Sequence, residues 1–160
     1  MKKKLLSLAC LLLLIGFDQW TKYFVAANLS QTPMVLWEGV FEFHYSINRG
    51  AAFGILQNHQ MIFKVLTMLV LVFLVVVWGR MQRNARFAPV QRVLVLLAAG
   101  ACGNLIDRIR QGYVVDFLYF RLIDFPVFNV ADSYVVISVF LLLFLLLFRY
   151  REEDFKELLP

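Results

Sequence analysis

Two carboxyl groups carry the strongest chemical suggestion in this chain. Asp116 lies in Gly112-Tyr113-Val114-Val115-Asp116-Phe117-Leu118 and Asp132 in Phe128-Asn129-Val130-Ala131-Asp132-Ser133. Neither has an adjacent basic residue to neutralise it, and both stand in strongly apolar surroundings. Carboxyls that share a confined site cannot both ionise easily, so one keeps its proton near neutral pH and the pair offers an acid and a base together. The base can activate water for attack on an amide carbonyl. Its protonated partner can polarise the carbonyl oxygen and then assist the leaving nitrogen. Asp132 taken alone also fits a second role, as an acidic cap at the positive end of a helix.

Other polar residues fall at helical spacing. Asp18 and Lys22 are one turn apart and can form an ion pair on one helix face, which reads as a structural pair. Asn104, Asp107 and Arg108 follow at i, i+3 and i+4, so Asn104 and Arg108 share a stripe that suits structure and substrate binding equally. Cys10 and Cys102 sit in apolar runs, the setting of buried small hydrophobes. His44 and His59 lack partner ligands for a zinc site, and there is no Gly-x-Ser-x-Gly elbow or phosphate-binding glycine loop.

What must position these groups is membrane-embedded. The chain has 160 residues, of which 61% are hydrophobic and 17% charged, far from the balance of a soluble domain. Four apolar runs are long enough to cross a bilayer, at about 5–26, 61–78, 90–109 and 130–148. The first follows Lys2, Lys3 and Lys4 like a signal peptide, but it continues past Cys10 without a break and is expected to be retained. The fold expected is therefore a mainly α integral membrane protein in a single domain over 1–160. It has four transmembrane helices and a small external β-containing segment between helices one and two. An ionisable residue at a helix centre costs roughly 2.5–3.5 kcal/mol on insertion scales, so those present are expected to have roles.

Orientation follows from the basic residues, which favour the cytoplasmic side. Lys2 to Lys4, then Arg80, Arg83, Arg86 and Arg92, then Arg149 and Arg151, fall on one side after four crossings. Both termini are then cytoplasmic and 27–60 and 110–129 are external, which puts Asp116 and Asp132 at the outer face. These clusters account for the net charge of +5, leaving a nucleic-acid reading without support. Within the first external segment, Phe41, Phe43, Tyr45 and Ile47 alternate with Glu42, His44 and Ser46, the period of a strand with one apolar face. The small residues of Asn48-Arg49-Gly50-Ala51-Ala52-Phe53-Gly54 follow and permit close backbone approach. A proton-coupled carrier would want midplane carboxyls between inverted repeats, and no repeat is visible. A non-catalytic assembly factor, with the aspartates binding a partner, is the other rival.

Together the motifs resemble the lipoprotein signal peptidase family, also called signal peptidase II, the bacterial membrane aspartyl peptidases. The resemblance rests on five stretches in order: Asp18-Gln19-Trp20-Thr21-Lys22, Asn48-Arg49-Gly50-Ala51-Ala52-Phe53, Gly103-Asn104-Leu105-Ile106-Asp107-Arg108, Val115-Asp116-Phe117, and Phe128-Asn129-Val130-Ala131-Asp132-Ser133. It implies that Asp116 and Asp132 are the catalytic dyad. It also implies that Asn48, Gly50, Asn104, Arg108 and Asn129 line the site, with Asp18 and Lys22 in support. Before Gly103 this chain has Ala99-Gly100-Ala101-Cys102 where the family usually has Gly-Gly-Ala-Leu, a change that keeps those places small or apolar. The implied substrate is a diacylglyceryl-modified prolipoprotein cut just before its lipid-bearing cysteine. No metal or organic cofactor is implied. The implied setting is the bacterial cytoplasmic (inner) membrane, with lipids as neighbours and a monomer expected.

The charge pattern yields a direct test of orientation. Reporters fused after Arg83 and after Pro160 should register as cytoplasmic and one inserted near Gln57 as external. An external C-terminus would overturn the four-crossing order.

Overall fold

The computed structural model describes residues 2–50, 60–82, 84–151 and 153–154. Ala51 to Gly54, His59, Arg83 and the other reporter positions named above fall outside that set. Among the described residues four long helices form: α1 (Lys2–Asn28), α2 (Gln60–Met81), α3 (Ala88–Arg110) and α4 (Val130–Phe148). All four are long and apolar enough to cross a membrane. The expected spans are each recovered, with α1, α2 and α3 running a few residues further because polar ends extend a helix beyond its apolar core. α3 packs against α1, α2 and α4 and is the most buried of the four, whereas the others turn rows of Leu, Val and Phe outward. Outward-facing apolar side chains are what lipid accepts in place of water.

The two ends of the bundle are built differently. At one end an apolar cluster of Leu74, Met81, Phe87, Val90, Leu94 and Tyr150 joins α2, α3 and the segment after α4. The rings of Phe87 and Tyr150 stack with centroids 5.0 Å apart, and the Tyr150 hydroxyl donates to the Arg86 carbonyl at 2.8 Å. Arg86 also pairs with Asp154 through Nε at 2.8 Å. The α2–α3 link and the chain after α4 therefore meet at one end, as the distribution of arginines requires.

At the opposite end stands a three-stranded antiparallel sheet in the order β1 (Met34–Trp37), β2 (Phe41–Asn48), β3 (Val114–Phe120). β1 and β2 are joined by a tight turn in which the Val40 N–H donates to the Trp37 carbonyl at 3.0 Å and Gly39 takes φ +70°. The β structure expected between α1 and α2 is present as β1 and β2, and a third strand is added to it. β3 comes from the second segment and pairs along β2, with Phe41 opposite Phe120, Ser46 opposite Asp116 and Asn48 opposite Val114. Val114 and Val115 suit a strand, but their partner lies far back in the chain, so no local pattern announces the pairing. The simple alternation in β2 also fails. An irregularity between Phe43 and Ser46 shifts the register, Ile47 is exposed, and Glu42 is buried with Arg121 Nη1 3.3 Å from its Oε2. A bulge of this kind re-aims the side chains beyond it, here towards Asp116.

Close contact between α3 and α4 depends on the absence of side chains. A Cβ placed on Gly100 would lie 2.5 Å from the Ala131 carbonyl oxygen and 2.9 Å from Val135 Cγ2. Gly79 in α2 has nothing within 4 Å of such a Cβ. Gly100→Ala should therefore destabilise the protein by about 1–3 kcal/mol through overpacking. Gly79→Ala should be neutral or stabilise by up to about 1 kcal/mol. Thermal unfolding of both variants in detergent checks the contrast.

Candidate active site

β3 and α4 enter the site from different directions and bring Asp116 and Asp132 to the same asparagine. Asn129 is the N-cap of α4: its Oδ1 accepts from the Asp132 N–H at 2.9 Å, and Asp132 Oδ2 accepts from the Asn129 N–H at 3.1 Å. That reciprocal capping box satisfies two donors that a helix start leaves unpaired. With Oδ1 committed to the helix, Asn129 Nδ2 points the other way and donates to Asp116 Oδ1 at 2.6 Å. The two readings of Asp132 thus coexist, since Asn129 is the cap itself and Asp132, at the third helical position, closes the box while its Oδ1 faces the site.

Two further asparagines finish the carboxyl environment. Asn48, at the end of β2, donates from Nδ2 to Asp116 Oδ2 at 2.9 Å while its Oδ1 accepts from the Gly50 N–H at 2.9 Å. Asn104, on α3, donates from Nδ2 to Asp132 Oδ1 at 2.7 Å and accepts at Oδ1 from Asn129 Nδ2 at 3.1 Å. Every carboxylate oxygen of Asp116 and Asp132 therefore has an N–H donor.

Behind this layer is a buried ionic knot. Lys22 Nζ lies 2.9 Å from Asp18 Oδ2, 2.9 Å from Asp107 Oδ2 and 2.8 Å from Asn104 Oδ1, with both Lys22 and Asp18 almost wholly buried. The ion pair expected between Asp18 and Lys22 is present. Asp107 is its unassigned third member, and Gln19 closes the knot through Nε2, 2.9 Å from Asp107 Oδ1 and 3.2 Å from the Gly103 carbonyl. Asp18 Oδ1 also accepts from the Ala131 N–H at 2.9 Å, which ties α1 to the start of α4. Asp107 and Gln19 were legible only as polar residues in apolar helices. Spacing could place Asp107 beside Asn104 but could not show that it meets α1.

Arg108 stands at the edge, with Nη1 and Nη2 at 3.4 Å from the carbonyls of Asn104 and Gly50 and its guanidinium 5.1 Å from the centre of the Phe63 ring. The nine residues that the resemblance assigns to the site or its support thus belong to one connected assembly. His44 lies apart on the sheet, exposed, and among the described residues no three His, Cys, Asp or Glu side chains group as metal ligands would. Asp124 is also outside: it is exposed, at φ 46°, and accepts from the Tyr119 hydroxyl at 2.5 Å.

A groove of about 1100 Å³ opens over the two aspartates. Asn48, Asn104, Arg108, Asp116 and Asp132 form its polar floor, and Phe41, Ile123, Phe125, Val127, Phe128, Val136 and Ile137 supply apolar walls. Phe41 lines the groove, but Trp37 is exposed on the edge strand and Phe43 packs edge-on against Phe117 at 5.6 Å. Most of the apolar wall comes instead from residues 120–128 and from α4.

Known proteins are similar to this chain in sequence and in fold. A family model described as signal peptidase II matches residues 10–148. A lipoprotein signal peptidase of Clostridioides difficile is 43% identical over 155 residues, covering 93% of this chain and all of that protein. One from Streptococcus thermophilus is 41% identical over 145 residues, covering 90% and 92%. Two solved structures, both described as bacterial membrane enzymes, superpose with TM-scores of 0.78 and 0.77 at 32% and 34% identity, each over at least nine-tenths of both chains.

Burial is the main influence on Asp116, which lies outside the helices. Burial first and the neighbouring Asp132 charge second raise the carboxyl, the donors Asn48 and Asn129 pull it down, and the balance lies at about 7. A carboxyl raised in the folded state holds a proton that the unfolded chain releases near pH 4. Stability from this group is therefore complete below about pH 4 and is lost as pH rises to about 7, with a slope of up to about 1.4 kcal/mol per pH unit. Unfolding midpoints in detergent across this range should decline with rising pH in the wild type, and Asp116→Asn should remove that part of the slope. An unchanged slope would show that Asp116 titrates as an ordinary carboxylate.

Proposed function

The chain belongs to the signal peptidase II family, and from that premise we propose that Asp116 and Asp132 are the dyad with which it hydrolyses its substrate. It is a multi-pass bacterial membrane protein and an aspartic peptidase that removes signal peptides from prolipoproteins. The observation that carries the dyad is the single asparagine, Asn129, bonded to both carboxyls on the floor of an open groove. One carboxyl serves as base for water and the other as acid for the carbonyl oxygen. Asn48, Gly50, Asn104, Arg108 and Asn129 line the site, and Asp18 and Lys22 support it from behind.

The scissile bond is the one on the amino side of a cysteine that carries diacylglycerol. The groove supports this reading because its floor is polar where a peptide would react and its walls are apolar where acyl chains and a signal helix would lie. Each buried methylene of a lipid anchor contributes about 0.8 kcal/mol, so two acyl chains hold the cysteine at a fixed depth in the membrane. Depth then sets which peptide bond meets the dyad. The site faces outward, both termini are cytoplasmic, and the protein acts as a single-domain monomer among membrane lipids.

Asp116→Asn and Asp132→Asn should each abolish cleavage of a diacylglyceryl prolipoprotein by purified protein in detergent, with insertion and folding preserved. Asp124→Asn should keep most activity. Turnover by either dyad variant would remove that residue from the chemistry, and equal rates on lipidated and unlipidated substrate would refute the depth argument.

A further inference from the structure

The hydrogen bonds around the dyad are not symmetric. Asn104 is held at Oδ1 by the Lys22 ammonium at 2.8 Å, and an ammonium can only donate. The Asn104 amide therefore cannot turn over, and its Nδ2 must face Asp132 Oδ1, where it lies at 2.7 Å. Asp132 also receives the Asn129 backbone N–H in the first turn of α4, where the helix dipole favours negative charge. Asp116 has two amide donors, but it sits in a strand. One of its donors, Asn129 Nδ2, is shared with Asn104 Oδ1 at 3.1 Å and the Val115 carbonyl at 3.3 Å. The charged groups around Asp132 are Asp18 and Lys22 of α1, Arg108 of α3 and Asp116 of β3, with Asp107 beside Lys22 and Arg49 among the residues lining the groove. Asp18 and Asp107 flank the Lys22 ammonium, and besides its direct charge Lys22 acts on Asp132 through the orientation of Asn104.

We infer that Lys22 is a positioning residue for the reaction: by locking the Asn104 amide it keeps Asp132 as the ionised base and leaves the proton of the pair on Asp116 as the acid. This rests on the reading of Asp116 and Asp132 as the dyad. In the resulting step, Asp132 takes a proton from water as the water oxygen bonds to the carbonyl carbon, and the Asp116 proton passes to the carbonyl oxygen. The C–N bond then breaks. The nitrogen takes the proton held by Asp132, and Asp116 recovers one from a hydroxyl of the diol. Acid and amine products leave, and both aspartates return to their starting states.

Two measurements test the assignment. Infrared titration of protonated carboxyl groups in detergent should show a band that titrates near neutral pH in the wild type. The band should be absent from Asp116→Asn but still present in Asp132→Asn, shifted to lower pH because the neighbouring charge is gone. The reverse pattern would overturn the inference. The second measurement is kcat/KM against pH with a lipidated prolipoprotein. Lys22→Met should move the acid limb upward by about one pH unit, about a tenfold loss on that side. Asn104→Leu leaves Lys22 between its two carboxylates and should give the same movement, which keeps the test available if Lys22→Met does not fold. The double variant should move the limb by less than the sum of the two single shifts. A loss of rate that is uniform across pH, or shifts that add, would make Lys22 a structural cross-link only. Activity retained in Asp116→Asn or Asp132→Asn would instead sink the dyad reading, a separate failure.

Discussion

The contact on which the site depends is the ammonium of Lys22 between Asp18 and Asp107, 2.9 Å from each. It joins α1 to α3 in a setting where water cannot substitute for a missing partner. Breaking a buried pair of this kind costs about 3–5 kcal/mol because it leaves a charge unpaired. The knot is stable because its remaining valences are also met: Gln19 serves Asp107, and the Ala131 N–H serves Asp18. Through Ala131 the same knot holds the first turn of α4, and through Asn104 it reaches Asp132. Gly103 completes the arrangement by leaving room, since a Cβ there would lie 2.5 Å from Asp18 Oδ2.

Three asparagines convert that fixed frame into oriented donors. Each has its side-chain oxygen occupied by something that can only donate: Gly50 N–H for Asn48, Lys22 for Asn104, Asp132 N–H for Asn129. Their amide nitrogens are thereby compelled to face the carboxyls. An aspartate in any of these places would offer no donor, and a glutamine would carry its amide one methylene too far. The result is a pair of carboxyls held close in an environment dry enough to raise Asp116 to about 7, yet never without a hydrogen-bond partner.

Much of this could be read from the sequence, and the division follows range of interaction. The four spans and the spacing of Asp18 with Lys22, or of Asn104 with Arg108, depend on helical periodicity, which is local. The family resemblance then named Asp116 and Asp132 together with the asparagines. What escaped depends on contacts between distant segments. β3 pairs with a strand some seventy positions earlier, Asp107 and Gln19 meet only because α1 and α3 pack, and the buried Glu42 pairs with Arg121 from the segment between α3 and α4. The alternation Phe41, Phe43, Tyr45, Ile47 misled because a single irregularity after Phe43 reverses which residues face inward, a change that period-two reading cannot detect.

That irregularity also explains how one short sheet serves two environments. Before it, the Phe41 ring lies tilted against Phe120 and the Phe43 ring meets Phe117 edge-on, anchoring β2 to β3 by apolar contact. Beyond it, Ser46 stands opposite Asp116 and Asn48 reaches the carboxyl, so the same strand becomes polar where the groove floor begins. A regular strand would have continued one face unchanged along its length. The change of register therefore places the boundary between apolar wall and polar floor inside β2. The α4 side of the groove makes the corresponding change within two turns, from Asp132 to Val136 and Ile137. With both sides changing at the same level, the groove has a defined depth at which polar chemistry can occur, and that level is set by the sheet register and the helix cap together.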